Sequence, residues 1–391
     1  MSLTRRRFTQ ILASTLFLHH LPSFAQSVKF WASLTLPEAQ NITRIVSAGA
    51  PADLLLLAVA PEKMVGFSSF DFARQALIPL PEHIRQFPRL GRLAGRASTL
   101  SLEGLMALHP DLVVDCGNTD ETWISQARQV SEQTQIPWLL LNGKLEQSAE
   151  QLTTLGKTLG EEHRAAEQAN LASRFVGEAQ AFATSPAANL SFYAARGPRG
   201  LETGLQGSLH TEAAELLGLH NVAQIADRHG LTQVSMENLL RWQYAARGPR
   251  GLETGLQGSL HTEAAELLGL HNVAQIADRH GLTQVSMENL LRWQPDIILV
   301  QEAVTADFIR RDPLWQGVKA VAEQRILFLS GLPFGWLDAP PGINRLLGLR
   351  RLHAWLDPAI NRQFKSDMQH YAQLFWHCLL SDADYQKLVA S

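Results

Sequence analysis

Apolar residues in this chain gather into short, turn-bounded runs separated by stretches with helical spacing. Arg44–Ala48, Leu112–Asp115 and Trp138–Leu141 read as buried strands, and Val65–Phe67 as a weaker fourth. Helical patterns lie between them: Pro51–Val59 follows the first run, Leu102–Leu108 precedes the second and Thr122–Gln135 precedes the third. Alternation of this kind predicts a parallel sheet covered on both faces. In such open sheets ligands sit beyond the carboxyl ends of the strands, here Ser47–Ala50, Phe67–Phe70 and Cys116–Thr119.

A long helical stretch follows. Leu145–Leu159 and Glu161–Ala183 keep apolar residues at helical spacing without proline; Gly160 marks a break between them, and Pro186 ends the second. A helix of about 20 residues spans roughly 30 Å, enough to connect two lobes. The alternation then restarts. Leu190–Ala194, Pro295–Gln301 and Arg325–Leu329 read as strands. His210–Leu217, Met287–Trp293, Gly342–Leu356 and the last 30 residues read as helices; Ser208 or Thr211 could cap the first of these and Gly218 ends it. The predicted fold is α/β: an N-terminal lobe over 41–143, a helical segment over 144–186 that includes the connector, and a C-terminal lobe over 187–391, each lobe a mainly parallel sheet flanked by helices.

One feature interrupts this plan. Tyr193–Gln243 and Tyr244–Gln294 are the same 51 residues written twice without a mismatch. A repeat array needs at least three diverged units with capping ends, so two perfect mid-chain copies fit an insertion into a finished fold. Any crossover within the repeat restores the same parental sequence. The surplus is expected to leave at a surface loop, where closure entropy grows slowly with length, most easily at the Gly- and Pro-rich Ala195–Gly207 or its copy.

Residues 1–25 combine Arg5-Arg6-Arg7-Phe8, an apolar run Ile11–Leu18 and the small-residue end Ser23-Phe24-Ala25. That is the pattern of a signal peptide cleaved near Ala25, with paired arginines that suit the twin-arginine route and Sec export as the alternative. The run is too short to span a bilayer, which takes about 20 residues, and no later segment qualifies. The expectation is an exported, periplasmic protein without a membrane span. A formal net charge of −3 with no basic stripe argues against nucleic acid as a partner. Cys116 and Cys378 read as buried free thiols rather than a disulfide framework.

Enzyme signatures are missing: there is no nucleophile elbow, Walker A loop or zinc helix. Gly197-Pro198-Arg199-Gly200 is a glycine-rich turn without dinucleotide-binding spacing. His210, His220 and His229, with copies His261, His271 and His280, match no standard zinc pattern and read as surface or capping residues.

Ser101-Leu102-Glu103 followed by Leu105–Val114, and Val285-Ser286-Met287-Glu288 followed by Leu290–Val300, resemble the two lobe signatures of periplasmic binding proteins for siderophores, haem and cobalamin. Asp312-Pro313-Leu314-Trp315 and Pro333-Phe334-Gly335-Trp336 through Asn344-Arg345-Leu346 resemble the branch for iron or other metal complexes. The resemblance runs from about Asn41 to Pro358, and the duplication is its one clear departure. It implies a monomeric substrate-binding protein, not an enzyme, that needs no resident cofactor and delivers a metal chelate, of the ferric siderophore type, to the permease of an ATP-driven importer. Within the same fold the cargo could instead be an oxyanion, cobalamin, haem or a nickel complex; the reading from another class is a metal-dependent enzyme that uses the repeat histidines. In that family one glutamate per lobe docks into arginine pockets of the permease. The matching positions are Glu103 and Glu288, or Glu237 if the first copy is built in; first-turn glutamates favoured by the helix dipole are the alternative. For the ligand, Phe334 and Trp336 are expected on an exposed loop that could stack on a flat chelate, with burial beneath Pro340-Pro341 as the competing reading. Arg196, or Arg247, could bind an anionic group. Phe67 and Phe70 line the first-lobe side, with core packing as the alternative for Phe67.

Overall fold

The computed structural model describes residues 29–72, 80–93, 98–185, 188–223, 282–284, 287–300 and 302–390. Residues 1–25, expected as a signal peptide, and Glu237, Arg247, His229, His261, His271 and His280 lie outside the described residues.

Lobe one is built on a four-stranded sheet of order β1-β4-β3-β2. Its strands are β1 (Phe30–Ser33), β2 (Ile45–Ser47), β3 (Leu112–Gly117) and β4 (Trp138–Asn142). β2, β3 and β4 are parallel; β1 runs antiparallel along β4, pairing Phe30 with Leu141 and Ser33 with Trp138. One expectation is corrected here. The fourth strand is β1, not Val65–Phe67, where Phe67 makes only an isolated bridge to Arg89 and the neighbouring Met64 one to Ile45. Helices α1 (Ala50–Val59), α2 (Leu102–Ala107) and α3 (Glu121–Thr134) cover the sheet. α1 is buried from Ala52 to Val59 because its Leu54–Leu57 run faces the core on every side. Asp120 caps α3 by accepting from the Thr122 N–H at 3.0 Å, and Ser101 caps α2 through the Gly104 N–H at 3.1 Å.

Helix α4 (Ser148–Leu159) then turns into α5 (Glu162–Ala183). Gly160 ends α4 in the left-handed region at φ +76°, a conformation that costs glycine little. α5 is one unbroken helix of 22 residues, roughly 33 Å at 1.5 Å per residue. It buries Ala165, Leu171, Phe175 and Ala179.

Lobe two carries a parallel sheet of order β10-β9-β5-β7, from β5 (Ser191–Ala195), β7 (His220–Asn221), β9 (Ile297–Val300) and β10 (Ile326–Phe328). A separate antiparallel pair joins β6 (Glu202–Gly204) to β8 (Leu282–Gln284). The flanking helices are α6 (Glu212–Leu216), α7 (Met287–Trp293) and α8 (Ala303–Arg311). α9 (Arg345–Leu356), α10 (Pro358–Phe375) and α11 (Asp382–Ala390) close the chain. α9 and α10 pack back on α5. Arg350 is fully buried there, pairing with Glu178 of α5 and with Asp367 of α10, which also receives Arg174 of α5 at 2.7 Å. Each charge has a partner inside, so none is left buried alone.

The described part of the duplication draws on both copies. The first supplies β5, β6, α6 and β7 up to Ala223; the second resumes with β8 at Leu282 and supplies α7. β6 of the first copy pairs with β8 of the second, Glu202 opposite Gln284 and Gly204 opposite Leu282. Ala195–Gly207 of the first copy, expected as the exit loop, is instead integral to the lobe. Arg196 and Glu202 exchange backbone hydrogen bonds, and the Gly200 carbonyl accepts from the buried Tyr193 hydroxyl at 2.8 Å. Thr211 opens α6, but its hydroxyl reaches the Leu205 carbonyl and Glu215 rather than capping the helix N-terminus.

Candidate functional site

The loops beyond the carboxyl ends of the two sheets meet. From lobe one come Ser47–Ala50 after β2, the 67–72 segment, and Gly117–Thr119 and Gly143 after β3 and β4. From lobe two come Arg196 after β5 and the long 329–344 loop after β10. Phe334 of that loop enters an aromatic cluster of lobe one, with ring centroids 5.0 Å from Phe70 and 5.4 Å from Phe72. Phe67 sits behind them, 5.9 Å from Phe70 and fully buried. Phe334 is 2 % and Trp336 1 % exposed. Trp336 donates its indole N–H to the Leu332 carbonyl at 2.8 Å and turns its ring towards Phe364. The exposed-loop reading of these two aromatics is therefore corrected in favour of burial: they hold the loop to the body through lobe-one rings and Phe364. Phe67 is core, and Phe70, half-buried, is the ring of the set left at the rim.

Polar groups converge beside this aromatic contact. Asp338, fully buried, holds Arg196 through one oxygen and accepts from His210 Nδ1 at 2.8 Å through the other. The Arg196 Nε is buried without a hydrogen-bond partner, 3.9 Å from the Glu202 carboxylate. Burial pushes His210 down to about 4, helped by the positive charges of Arg196 and Arg345, so the imidazole is neutral near pH 7. Burial likewise lowers Arg196 from the usual arginine range. Arg345, 1 % exposed, spans the lobes. Its guanidinium donates to the Gly143 carbonyl of lobe one, to the Leu209 carbonyl and to Glu212 of lobe two at 2.7 Å. Glu212 in turn accepts from the Leu145 N–H at 2.9 Å.

On the lobe-one rim, Asp53 of α1 accepts from the Ser68 N–H at 2.8 Å, the Ser68 hydroxyl at 2.8 Å and the Ser69 N–H at 3.2 Å, which fixes the start of the segment bearing Phe70. Burial raises Asp53 to about 7 against the pull of those donors, and burial raises Asp115, at the end of β3, to about 6.

Sequence reasoning placed Arg196 here but missed Asp338, Arg345 and the role of His210, read as a surface or capping residue. The one local sign was Arg345 within the Asn344-Arg345-Leu346 motif. His220 lies elsewhere, with Nε2 3.2 Å from Asn189 Oδ1, and no group of three or more potential metal ligands occurs among the described residues. Both cysteines are free; burial pushes each thiol up to about 12, so neither is a ready nucleophile or soft metal ligand.

Glu103 and Glu288 stand on α2 and α7 at matching, exposed positions, and neither makes a hydrogen bond or ion pair among the described residues. No helix among the described residues is long and apolar enough to cross a membrane.

With that geometry in place, comparison with known proteins is consistent. The sequence model of the periplasmic binding protein family matches residues 256–331, running from the second copy into β9 and β10. No curated protein sequence matches the chain. An ABC transporter solute binding protein from Sulfurospirillum deleyianum superposes with a TM-score of 0.68 at 23% identity, covering 92% of this chain and 96% of that one. The molybdate periplasmic binding protein of Haemophilus influenzae, bound to molybdate, gives 0.58 at 18% identity, covering 89% and 96%. The periplasmic vitamin B12 binding protein of Vibrio cholerae gives 0.52 at 17% identity, covering 82% and 99%. The chain has the fold of the periplasmic binding proteins, in the form with two α/β lobes joined by one long helix.

Proposed function

We propose that the chain is the periplasmic substrate-binding protein of an ATP-driven importer and that it carries a metal chelate of the ferric siderophore type between its lobes. No bond of the cargo is made or broken. The observation that carries the reading is the unbroken helix α5 between two lobes whose strand-end loops meet at Phe70, Phe334, Arg196 and Arg345. A half-buried ring, Phe70, and an arginine, Arg196, on the strand-end loops of the two lobes suit a cargo with a flat face and negative charge. A second reading, an oxyanion cargo, is favoured by the buried Arg196 Nε that lacks an acceptor and by the molybdate carried by the Haemophilus protein of like fold.

The test is a thermal-shift panel of ferric siderophores, haem, cobalamin, nickel–histidine and molybdate on purified protein. Ligand at 100 times its Kd adds about 2.7 kcal/mol, a melting rise of several degrees for a chain of this size. A saturable rise with a ferric chelate, weakened by Arg196→Ala, supports the first reading. A rise with molybdate alone supports the second. A panel with no shift at all refutes both.

A further inference from the structure

Asp338 lies beneath the two side chains it joins. Its side chain has no exposed surface, whereas those of Arg196 and His210 keep 16% and 22%. A guanidinium only donates, so one Asp338 oxygen serves Arg196 as an acceptor, and the other accepts from His210 Nδ1 at 2.8 Å. The partner of one ring nitrogen fixes the state of the other. With Nδ1 protonated and the imidazole neutral near pH 7, Nε2 holds a bare lone pair, and it makes no hydrogen bond among the described residues. The ring is also held in place. The preceding Leu209 carbonyl accepts from Arg345, and a Cβ on Gly204 would stand 2.9 Å from the His210 Cβ. Lobe two therefore presents a cationic donor, Arg196, and a neutral acceptor, Nε2, oriented by one hidden carboxylate.

Resting on the chelate reading above, we propose that Asp338 is a positioning residue that keeps the lone pair of His210 Nε2 available alongside Arg196, and that the two side chains recognise a chelate whose organic shell offers an O–H or N–H next to an anionic oxygen. Secondary amides beside catecholate oxygens have that chemistry. A metal ion at Nε2 is opposed by the two guanidiniums, whose charge already opposes a proton on this ring. No group of three or more potential metal ligands stands among the described residues. A cargo without the donor leaves Nε2 desolvated and unpaired, which is the basis of discrimination.

Asp338→Asn tests this with almost no change of shape. Arg196 needs an acceptor, so the amide oxygen must face it. The amide NH2 is then left facing His210 Nδ1, and the ring proton must move to Nε2. The substitution thus turns the acceptor into a donor. 15N NMR of the imidazole in the full chain should show a bare Nε2 in the wild type and a protonated Nε2 in the variant. Affinity is measured with two probes, a ferric catecholate bearing secondary amides and its N-methylated analogue, which lacks the donor. The wild type should prefer the first by about tenfold; Asp338→Asn should bind it about 10- to 100-fold more weakly and lose the preference. His210→Phe leaves Arg196 its counter-ion, should lose the preference too, and decides the matter if the asparagine variant does not fold. A protonated Nε2 in the wild type, or a preference that survives either substitution, overturns the proposal. No preference in the wild type, with equal losses on both probes in His210→Phe, assigns Nε2 to the metal and overturns it as well. A chain that binds neither probe but another ferric chelate overturns the proposal and leaves the importer reading standing; a chain that binds no chelate at all refutes the chelate reading itself.

Discussion

Arg345→Met separates a lobe-to-lobe tie from an incidental contact. The arginine is 1% exposed and donates to the carbonyls of Gly143, Leu209 and Gly342 and to Glu212 Oε2. Methionine keeps the aliphatic bulk and removes every donor. Glu212, whose side chain is 16% exposed, would keep only the Leu145 N–H. Breaking a buried pair from one side costs about 3–5 kcal/mol because the remaining charge is desolvated without a counter-ion. Removing both partners relieves that penalty, so the double variant with Glu212→Gln should cost less than the sum of the singles by at least about 1.5 kcal/mol. Urea unfolding with an unchanged m-value reads these numbers. NMR titration gives an independent check: Arg345 is one of the charges that hold His210 down to about 4, behind burial and Arg196, so the imidazole should titrate higher in the variant. A loss under about 1 kcal/mol with no coupling to Glu212 would show that the lobes are held by the aromatic contact alone and refute the tie.

Three further outcomes follow from the same geometry. Gly348→Ala in α9 should destabilise strongly although alanine is the better helix former by about 1 kcal/mol, because its Cβ would stand 1.9 Å from the Trp336 carbonyl oxygen; a variant melting at or above the wild type would contradict that close approach. Asp53 has a folded pKa raised to about 7 by burial, so the folded chain holds a proton that the unfolded chain releases between about pH 4 and 7. Wild-type stability should then fall relative to Asp53→Asn as pH rises through that window, by up to about 1.4 kcal/mol per pH unit, and parallel stability curves would contradict it. Deleting residues 244–294 restores one parental copy and should leave thermal stability at least as high as in the full chain; failure to fold would mean that the duplicate is not an insertion.

The elements legible in the sequence were those whose signal is local. β3 and β4 are apolar runs ended by Gly117 and Gly143, β9 is an apolar run opened by Pro295, and α5 is a proline-free amphipathic stretch. β1 was missed because Phe30-Trp31-Ala32-Ser33 is a short edge strand that owes its place to antiparallel pairing with β4, a partner more than a hundred residues away. β6 and β8 were missed for a like reason: Glu-Thr-Gly and Leu-Thr-Gln have no apolar alternation, and they pair across the duplication. Val65–Phe67 has strand-like residues, yet Phe67 is drawn into an aromatic core instead of a ladder. Around the cleft, glycine and proline marked the 331–341 loop as a loop but could not say which way Phe334 and Trp336 turn. Arg196, His210 and Arg345 come together only through Asp338 and Glu212, over separations of more than a hundred residues that no motif spacing encodes.

The paired Pro-Asp signatures show why the scaffold was readable and the cargo was not. In lobe one Asp111 accepts from the N–H groups of Thr43 and Arg44 at 2.8 and 2.9 Å, which tethers the chain entering β2 to the start of β3. In lobe two Asp296 accepts from the Ser191 N–H and hydroxyl, both at 2.8 Å, at the start of β5. Those donors and Lys319 at 2.6 Å hold the Asp296 carboxyl down at about 2, in spite of its partial burial. The residue before each proline is left-handed, which ends the helix and aims the chain into the sheet. Each signature is thus a joint: a helix stop, a stiff proline and a carboxylate that ties neighbouring strands at the sheet's amino end. The cleft lies at the opposite, carboxyl end. A motif selected by the joint therefore identifies the two-lobed frame whatever it carries, and it leaves the residues of the strand-end loops, such as Phe70, Arg196 and His210, unconstrained.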